Sequence, residues 1–525
     1  MLEEIIAGFL SLFSAFTFDT PHLSREKVIL TGLGVERLDE SSLWDDNTQT
    51  EYGTFVDITT TPSKLAYIEI EDKDEIQVKP TIRQSIARSL KTNLSITLAV
   101  FPLAAIGMTF IYFDLRTCDL CFEWRSRNNT IPYSVMRIKL IGDCIEGFLL
   151  NLWFPTSLMI LFGWSDFKRH FSSTMYVGFL VALMATLYLT FLLLFDVYDT
   201  NVVYRVPGNV LFASGLIAGS LVVVRKIREV RPNVSYSDVQ IMAIVSMEFL
   251  ASSAIAMNYR YVAVPWFNSL DNEMYKFVVA TLTPVLTLFP IALCKHMALR
   301  RSSEMIDPRR SFILVYFMRG ASITLYRVMQ ADFKSLWLFI GLSLFSGFSY
   351  VFKTATLSLR NKIWAVVIKL LNQTCCSSLR QLPLNTPHSR RLKADTEIQN
   401  ILFENNNLII SQAYLVLYMI ISFELSDWSV IKKSLIRLAI GLAIELFFNT
   451  LSIFFHVHWY NVPIPRVWSQ CWKRHIFANA VILVVIVCYF TAVLLSVFQV
   501  RMQHSENSKL YGVVRNCTLP FENWR

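Results

Sequence analysis

Long apolar segments alternate with short polar ones along most of this chain. Eleven of these segments are candidate membrane-spanning helices, of which 311–326 is the weakest, since about 20 residues at about 1.5 Å each cross the ~30 Å hydrocarbon core of a bilayer. Backbone groups in lipid must bond within the segment, which favours helices. The predicted spans are 94–114, 145–163, 174–196, 207–224, 239–258, 275–298, 311–326, 334–354, 406–424, 433–456 and 476–499. The pattern predicts an all-α, polytopic transmembrane helix bundle with about 10–11 spans.

Composition narrows the class of protein further. Hydrophobic residues make up 54% of the chain and charged residues only 17%, whereas soluble domains carry roughly 25% charged residues. The net charge is +9, yet residues 19–79 hold 14 acidic and 6 basic residues, a local net charge of −8. The positive charge therefore lies among the spans, where basic cytoplasmic loops are typical of membrane proteins. Basic and aromatic residues do not alternate, so the predicted partner is the lipid bilayer and not a nucleic acid.

Polar stretches divide the chain into five predicted parts. These are an acidic, partly disordered cytoplasmic segment (1–90) with a short apolar helix at 5–18, a first bundle of about eight spans (91–354), a cytoplasmic loop (355–405), the last three spans (406–500) and a C-terminal tail (501–525). Apolar residues at helical spacing in 361–380 predict an amphipathic helix that lies on the membrane. Cys375 and Cys376 are candidates for palmitoylation, and two free cytosolic thiols are the alternative.

Basic residues distinguish the two sides of the predicted bundle. Lys and Arg concentrate in the segments that follow even-numbered spans, and such an excess marks cytoplasmic loops. The N-terminus is then cytoplasmic and, with an odd number of spans, the C-terminal tail is external. Sequons at Asn128 and Asn516, and the pair Cys118 and Cys121, fall in external segments, where glycans and disulfides form. The prediction is a glycoprotein of a eukaryotic plasma membrane.

A polar stripe interrupts the apolar span 433–456. It consists of Glu445, Asn449, Ser452 and His456. Their spacing of 4, 3 and 4 residues stacks them on one face of a helix. Polar groups inside a membrane are costly and face a partner or water. The stripe is therefore a candidate path for protons or cations, with hydrogen bonding that holds helices together as the alternative.

One arginine, Arg319, lies in the middle of the apolar span 311–326. A charge at the bilayer centre costs at least ~2.5–3.5 kcal/mol, so this side chain is expected to face water or an acidic partner. Glu248 and Glu445 are its predicted partners, since pairing offsets part of the desolvation cost of each charge. Arg319 and Glu248 therefore join the stripe as candidate residues of a transport path or buried polar network.

Motifs that would name a reaction are missing from the sequence. It has no Walker A loop, no G-x-S-x-G or H-E-x-x-H motif and no ion-channel filter sequence, and neither a metal nor another cofactor is predicted. Span number and the polar stripe favour a transporter or channel-like permease for an ion or small solute. A receptor or scaffold without transport activity is the first alternative, and a membrane-embedded enzyme is the second. A permease predicts water-accessible carboxylates, whereas a scaffold predicts a dry bundle with every charge paired.

Overall fold

The structure is a computed structural model of the chain. It describes residues 27–31, 34–38, 55–56, 81–117, 133–198, 202–300, 305–359, 386–423 and 428–503, except for residues 233 and 235, together with isolated positions between 362 and 369. The candidate sites Cys118, Cys121, Asn128, Cys375, Cys376 and Asn516 lie outside the described residues, as do the apolar helix predicted at 5–18 and most of 361–380.

Thirteen helices form the body of the described chain. They are α1 Ile82–Thr117, α2 Tyr133–Asn151, α3 Trp153–Phe162, α4 Ser173–Leu194, α5 Val206–Val230, α6 Asp238–Asn258, α7 Glu273–Leu282, α8 Leu288–Arg300, α9 Ile313–Asp332, α10 Leu336–Ala355, α11 Pro387–Phe423, α12 Trp428–His458 and α13 Ile464–Gln503. Short turns of helix extend some of them: a π-helical turn and the segment Val264–Asn268 continue α6, and the 3₁₀ turn Thr283–Thr287 joins α7 to α8.

A small antiparallel sheet precedes the helices. Strands β1 (Lys27–Thr31) and β2 (Gly34–Leu38) pair with Lys27 opposite Leu38, and β3 (Phe55–Val56) pairs with the other edge of β1. The strand order is β2-β1-β3.

Nine helical segments among the described residues are long and apolar enough to cross a membrane. They overlap every predicted span except 311–326 and 406–424. Many apolar side chains on these helices point outward, including Phe179, Leu187 and Phe348, which are at least half exposed. In lipid such faces are the solvated surface of the protein. Apart from the small N-terminal sheet, the described chain is an all-α, polytopic helix bundle of an integral membrane protein.

The two exceptions, α9 and α11, occupy the centre of the bundle. Helix α9 packs against α6, α8, α11 and α13, while α11 packs against α1, α9, α12 and α13. In α9, 18 of the 20 residues are buried. The segment around Arg319 is therefore surrounded more by protein than by lipid. At about 1.5 Å per residue, α9 is nevertheless about 30 Å long, enough to cross the hydrocarbon core.

The N-terminal half of α11 differs from the sequence prediction. Residues 387–405, which the sequence analysis placed in a loop, are helical, and α11 continues without a break through the predicted span 406–424. This half is rich in polar residues, yet Asp395, Gln399 and Asn406 are fully buried. A polar sequence is compatible with a central helix here because neighbouring helices satisfy much of its side-chain hydrogen bonding.

Close packing of α10 on α12 depends on Gly347. An ideal Cβ at this position would lie 2.5 Å from Cγ of Phe448, much nearer than van der Waals contact. We expect Gly347→Val to lower the free energy of unfolding by about 1–3 kcal/mol, because the helices must move apart to admit the side chain. Thermal unfolding of the purified protein in detergent measures the change. Gly147→Ala is the control, since nothing lies within 4 Å of an ideal Cβ at Gly147; an equal loss in both variants would contradict the assignment.

Candidate functional site

The polar stripe of α12 faces the interior of the bundle. All four of its members are buried, and the side chains of Glu445 and Asn449 are 2% and 1% exposed. From Glu445 to His456 the stripe extends about 16 Å along the helix axis, roughly half of the hydrocarbon core. Helices α9, α10 and α11 supply the groups that contact it. We call the stripe together with Arg319, Arg327, Glu397 and Glu404 the central polar cluster.

One end of the cluster is a buried ion pair between α9 and α12. Nη2 of Arg327 donates to Oε1 of Glu445, and Nη1 of Arg327 donates to Oε1 of Gln330 at 2.8 Å. The amide of Gln330 in turn donates to Oγ of Ser343 at 2.5 Å and to the carbonyl of Phe339 at 3.0 Å. Arg327 is 1% exposed. The pair and its amide partner therefore tie α9, α10 and α12 together.

The other end of the cluster joins α11 to α12 through a carboxylate and an imidazole. Nε2 of His456 lies 3.0 Å from Oε1 of Glu397, and the hydroxyl of Ser452 donates to the same oxygen at 3.1 Å. Asn400 donates to the second carboxylate oxygen at 3.3 Å, and Thr354 of α10 lies 3.3 Å from Ser452. Three helices thus surround one buried carboxylate.

Asn449 lies between these two ends. Both the Nδ2 and the Oδ1 atom of its amide are buried and have no hydrogen-bond partner among the described residues. Arg319 of α9 and Glu404 of α11 are only partly buried, although their helices are the most enclosed of the bundle. Arg319 interacts electrostatically with both Glu397 and Glu404. The middle of the cluster therefore combines charges of both signs with an amide that the described protein does not satisfy.

A second polar network lies on the opposite side of α11, against α13. Nε2 of His475 lies 3.0 Å from Oδ1 of Asp395, and Arg391 donates to Oδ2 at 3.1 Å. Gln399 donates to Nδ1 of His475 at 3.1 Å and accepts from Asn479 at 3.2 Å. Because an amide nitrogen can only donate, Nδ1 of His475 accepts and Nε2 carries the proton toward Asp395. This network holds α11 to α13.

The structure gives both predicted partners of Arg319 other contacts. Glu445 pairs with Arg327, which lies eight residues beyond Arg319 in α9 at the level of Glu445. Glu248 accepts the backbone N–H of Phe317 at 2.5 Å, which fixes α6 against α9. Arg319 interacts electrostatically with Glu397 and Glu404, in the half of α11 that the sequence predicts to be a loop.

Sequence reasoning missed Arg327, Asp395, Glu397 and Glu404. Arg327 directly follows the predicted span 311–326, and the three acids lie in the predicted cytoplasmic loop 355–405. A signal was present: Glu397, Asn400 and Glu404 recur at intervals of 3 and 4 residues, as one face of a helix requires. Among the described residues, no three His, Cys, Asp or Glu side chains come together in a group that could hold a metal ion.

His388, at the start of α11, gives the bundle a predicted dependence on pH. Its Nε2 lies 3.3 Å from the hydroxyl of Ser311, and burial lowers its pKa from 6.5 to about 4, against the smaller opposing effect of Asp395 and Asp307. The folded pKa is below the unfolded value, so this stability is complete above pH 6.5 and is lost as pH falls toward 4.

We expect wild-type protein to lose about 1–2 kcal/mol more than His388→Gln between pH 7 and pH 4.5. Unfolding midpoints recorded across that range in detergent provide the comparison. His170→Gln, a change at a half-buried histidine of another helical turn, should leave the pH profile unchanged. Parallel profiles for wild type and His388→Gln would refute the assignment.

No protein-family model, curated protein sequence or solved structure matches the chain.

Proposed function

We propose that the protein is a permease for an ion or a small solute, and that its pathway follows the polar face of α12 where it meets α9 and α11. The observation that carries this proposal is the amide of Asn449, which is buried without a partner among the described residues. Each unsatisfied buried polar group costs about 1–3 kcal/mol. Water or a solute beside Asn449 would remove that cost.

Partial exposure of two charged residues supports the same reading. Arg319 and Glu404 belong to the two central helices and yet are not fully buried. A dry scaffold would enclose such charges completely, because an accessible charge inside a membrane gains nothing from lipid. An arginine, a carboxylate and an amide together suit contact with a hydrated ion or a polar solute.

A scaffold or receptor without transport is the second candidate, and it too has a specific observation in its favour. The pairs Arg327–Glu445 and Glu397–His456 are buried and have additional hydrogen-bond partners. Such pairs fix helices in one arrangement. A protein that only anchors partners would need these pairs, but it would not need the unsatisfied amide between them.

Flux across liposomes that contain the purified protein distinguishes the two candidates. Gradients of Na⁺, K⁺, Cl⁻ and H⁺ are imposed one at a time, and fluxes are compared for wild type and Asn449→Leu. We expect wild type to conduct at least one of these ions, and Asn449→Leu to reduce that flux by about tenfold or more, because leucine replaces the polar amide with apolar atoms.

Ala443→Leu is the matched control, since it adds a leucine to the exposed face of the same helix. It should conduct like wild type. Equal flux in Asn449→Leu and wild type would remove the stripe from the pathway. No flux of any of these ions in correctly folded wild type, followed by none with small zwitterionic or sugar solutes, would favour the scaffold.

A further inference from the structure

Two arginines lie near one another at the end of the bundle where α11 begins. Arg310 precedes α9, and Arg474 lies in α13 beside His475. The two segments are packed together, since the rings of Phe312 and His475 are 5.2 Å apart. The two side chains are close enough for the positive charge of Arg474 to lower the pKa of Arg310. Like charges held together in a partly buried position are unfavourable unless something of opposite charge lies between them.

The hydrogen-bond donors of this pair are incompletely used. Nε and Nη2 of Arg474 and Nε of Arg310 are buried and have no hydrogen-bond partner among the described residues. Burial is the largest cause that lowers the pKa of Arg310, and the charge of Arg474 lowers it further, while Asp307 and Asp166 oppose the shift. Buried guanidinium donors without an acceptor cost more than neutral groups, so an acceptor in this position would be strongly favoured.

Two acidic residues near these arginines, Asp307 and Asp395, accept hydrogen bonds from other groups. Oδ1 of Asp307 accepts the backbone N–H of Arg309 at 3.0 Å, capping a turn. Asp395 accepts from Arg391 and lies beside His475. The first turn of α11 contains no acid, although Arg390 and Arg391 follow closely, and a helix N-terminus itself attracts anions. Arg309, Arg310, Arg391 and Arg474 outnumber the acids that act on them, Asp166, Asp307 and Asp395.

The backbone is shaped to admit the arginine. Gly163, directly after α3, has a φ of 88°, and a Cβ at this position would overlap the guanidinium of Arg310. The guanidinium thus rests on bare backbone. Trp164 directly follows Gly163, and Trp472 lies two residues before Arg474. These tryptophans are 66% and 43% exposed, and exposed tryptophans are enriched at the level of lipid headgroups.

We infer that Arg310 and Arg474 form a binding site for a phosphate group at the membrane boundary. Paired guanidinium groups bind tetrahedral oxyanions through parallel hydrogen bonds, and phosphate is the oxyanion present at the headgroup level of a bilayer. The same chemistry is offered by a phospholipid headgroup and by free inorganic phosphate. This site is separate from the central polar cluster and does not depend on the proposed transport.

The test uses the full-length protein purified in a maltoside detergent, which contains no phosphate. One arm adds inorganic phosphate against sodium chloride of equal ionic strength, and the other adds micelles containing phosphatidic acid against micelles containing a neutral diacylglycerol. The melting temperature of wild type should rise with the ligand that binds, since a ligand specific to the folded state stabilises it. A rise with inorganic phosphate identifies a soluble anion, and a rise with phosphatidic acid alone identifies a headgroup.

The variant Arg310→Gln/Arg474→Gln should weaken the apparent affinity by about tenfold or more. Lys168→Gln/Arg169→Gln, which removes the same charge from two exposed residues, should keep it. If the first variant does not fold, Arg474→Lys replaces it: lysine keeps the charge but lacks the planar fork, so the affinity should again fall about tenfold. Absence of stabilisation in both arms, or equal affinity in wild type and the arginine variants, overturns the site.

Discussion

Arg327→Met is expected to lower the free energy of unfolding by about 3–5 kcal/mol, because it leaves the Glu445 carboxylate buried without its counter-charge. The pair joins α9 to α12 inside the bundle, and both side chains are at most 2% exposed. Methionine has nearly the length of the arginine stem, so lost charge and not a cavity dominates the effect. The unfolding midpoint in detergent and the yield of monodisperse protein provide the measurement.

Arg327→Met/Glu445→Met separates pairing from packing. With both charges gone, no buried carboxylate remains alone, and the stability should return to within about 1 kcal/mol of wild type or exceed it. Lys432→Met, at an exposed position of α12, controls for loss of one positive charge and should change little. If the double variant is as unstable as Arg327→Met, the ion pair is not what the single substitution disrupts.

Asp395→Ala is expected to have the second large effect, again about 3–5 kcal/mol. Its carboxylate is fully buried between Arg391 and His475, and alanine would remove the acceptor and the negative charge that both of them face. Helix α11 would thereby lose its charged attachment to α13. Thermal unfolding of the purified variant reports the loss.

Two comparisons make the Asp395 result interpretable. Asp395→Asn keeps an acceptor for Arg391 but removes the charge, so its loss should be smaller than that of alanine. Asp238→Ala breaks an ion pair with Arg228 at a carboxylate that is 69% exposed, and exposed pairs contribute about 0–1 kcal/mol. Similar losses for Asp395→Ala and Asp238→Ala would show that burial does not govern the strength of these pairs.

The parts of the structure that follow from local pattern were predictable. Apolar runs such as 174–196 need no partner to be identified as membrane helices, because lipid itself is their solvent. The spacing from Glu445 to His456 likewise defines one buried face, since the helix repeat alone determines it. The order of helices around the centre is not encoded locally and could not be predicted in this way.

The helices at the centre of the bundle could not be predicted from hydropathy, for a physical reason. Hydropathy measures compatibility with lipid, but α11 is surrounded by protein, so its polar residues are stabilised by partners that lie far away in sequence. Glu397 meets His456, and Asp395 meets His475. The residues that neighbour Asp395 or Arg327 in the sequence give no information on such partners. The sequence therefore predicts a loop where the polar half of α11 lies, and it does not identify the pairing of Glu445 with Arg327.

The enclosed polar half of α11 has a consequence for biogenesis. During synthesis, a segment enters the bilayer from the translocation channel when its transfer to lipid is favourable, and each central Asp, Lys or Arg opposes that transfer by about 2.5–3.5 kcal/mol. Residues 395–407 include Asp395, Glu397 and Glu404, which oppose such partitioning. We expect the insertion of α11 to depend on helices that precede it, notably α1 and α9, and on later packing against α12 and α13. Insertion of α11 should therefore be complete only when its neighbouring helices are in place.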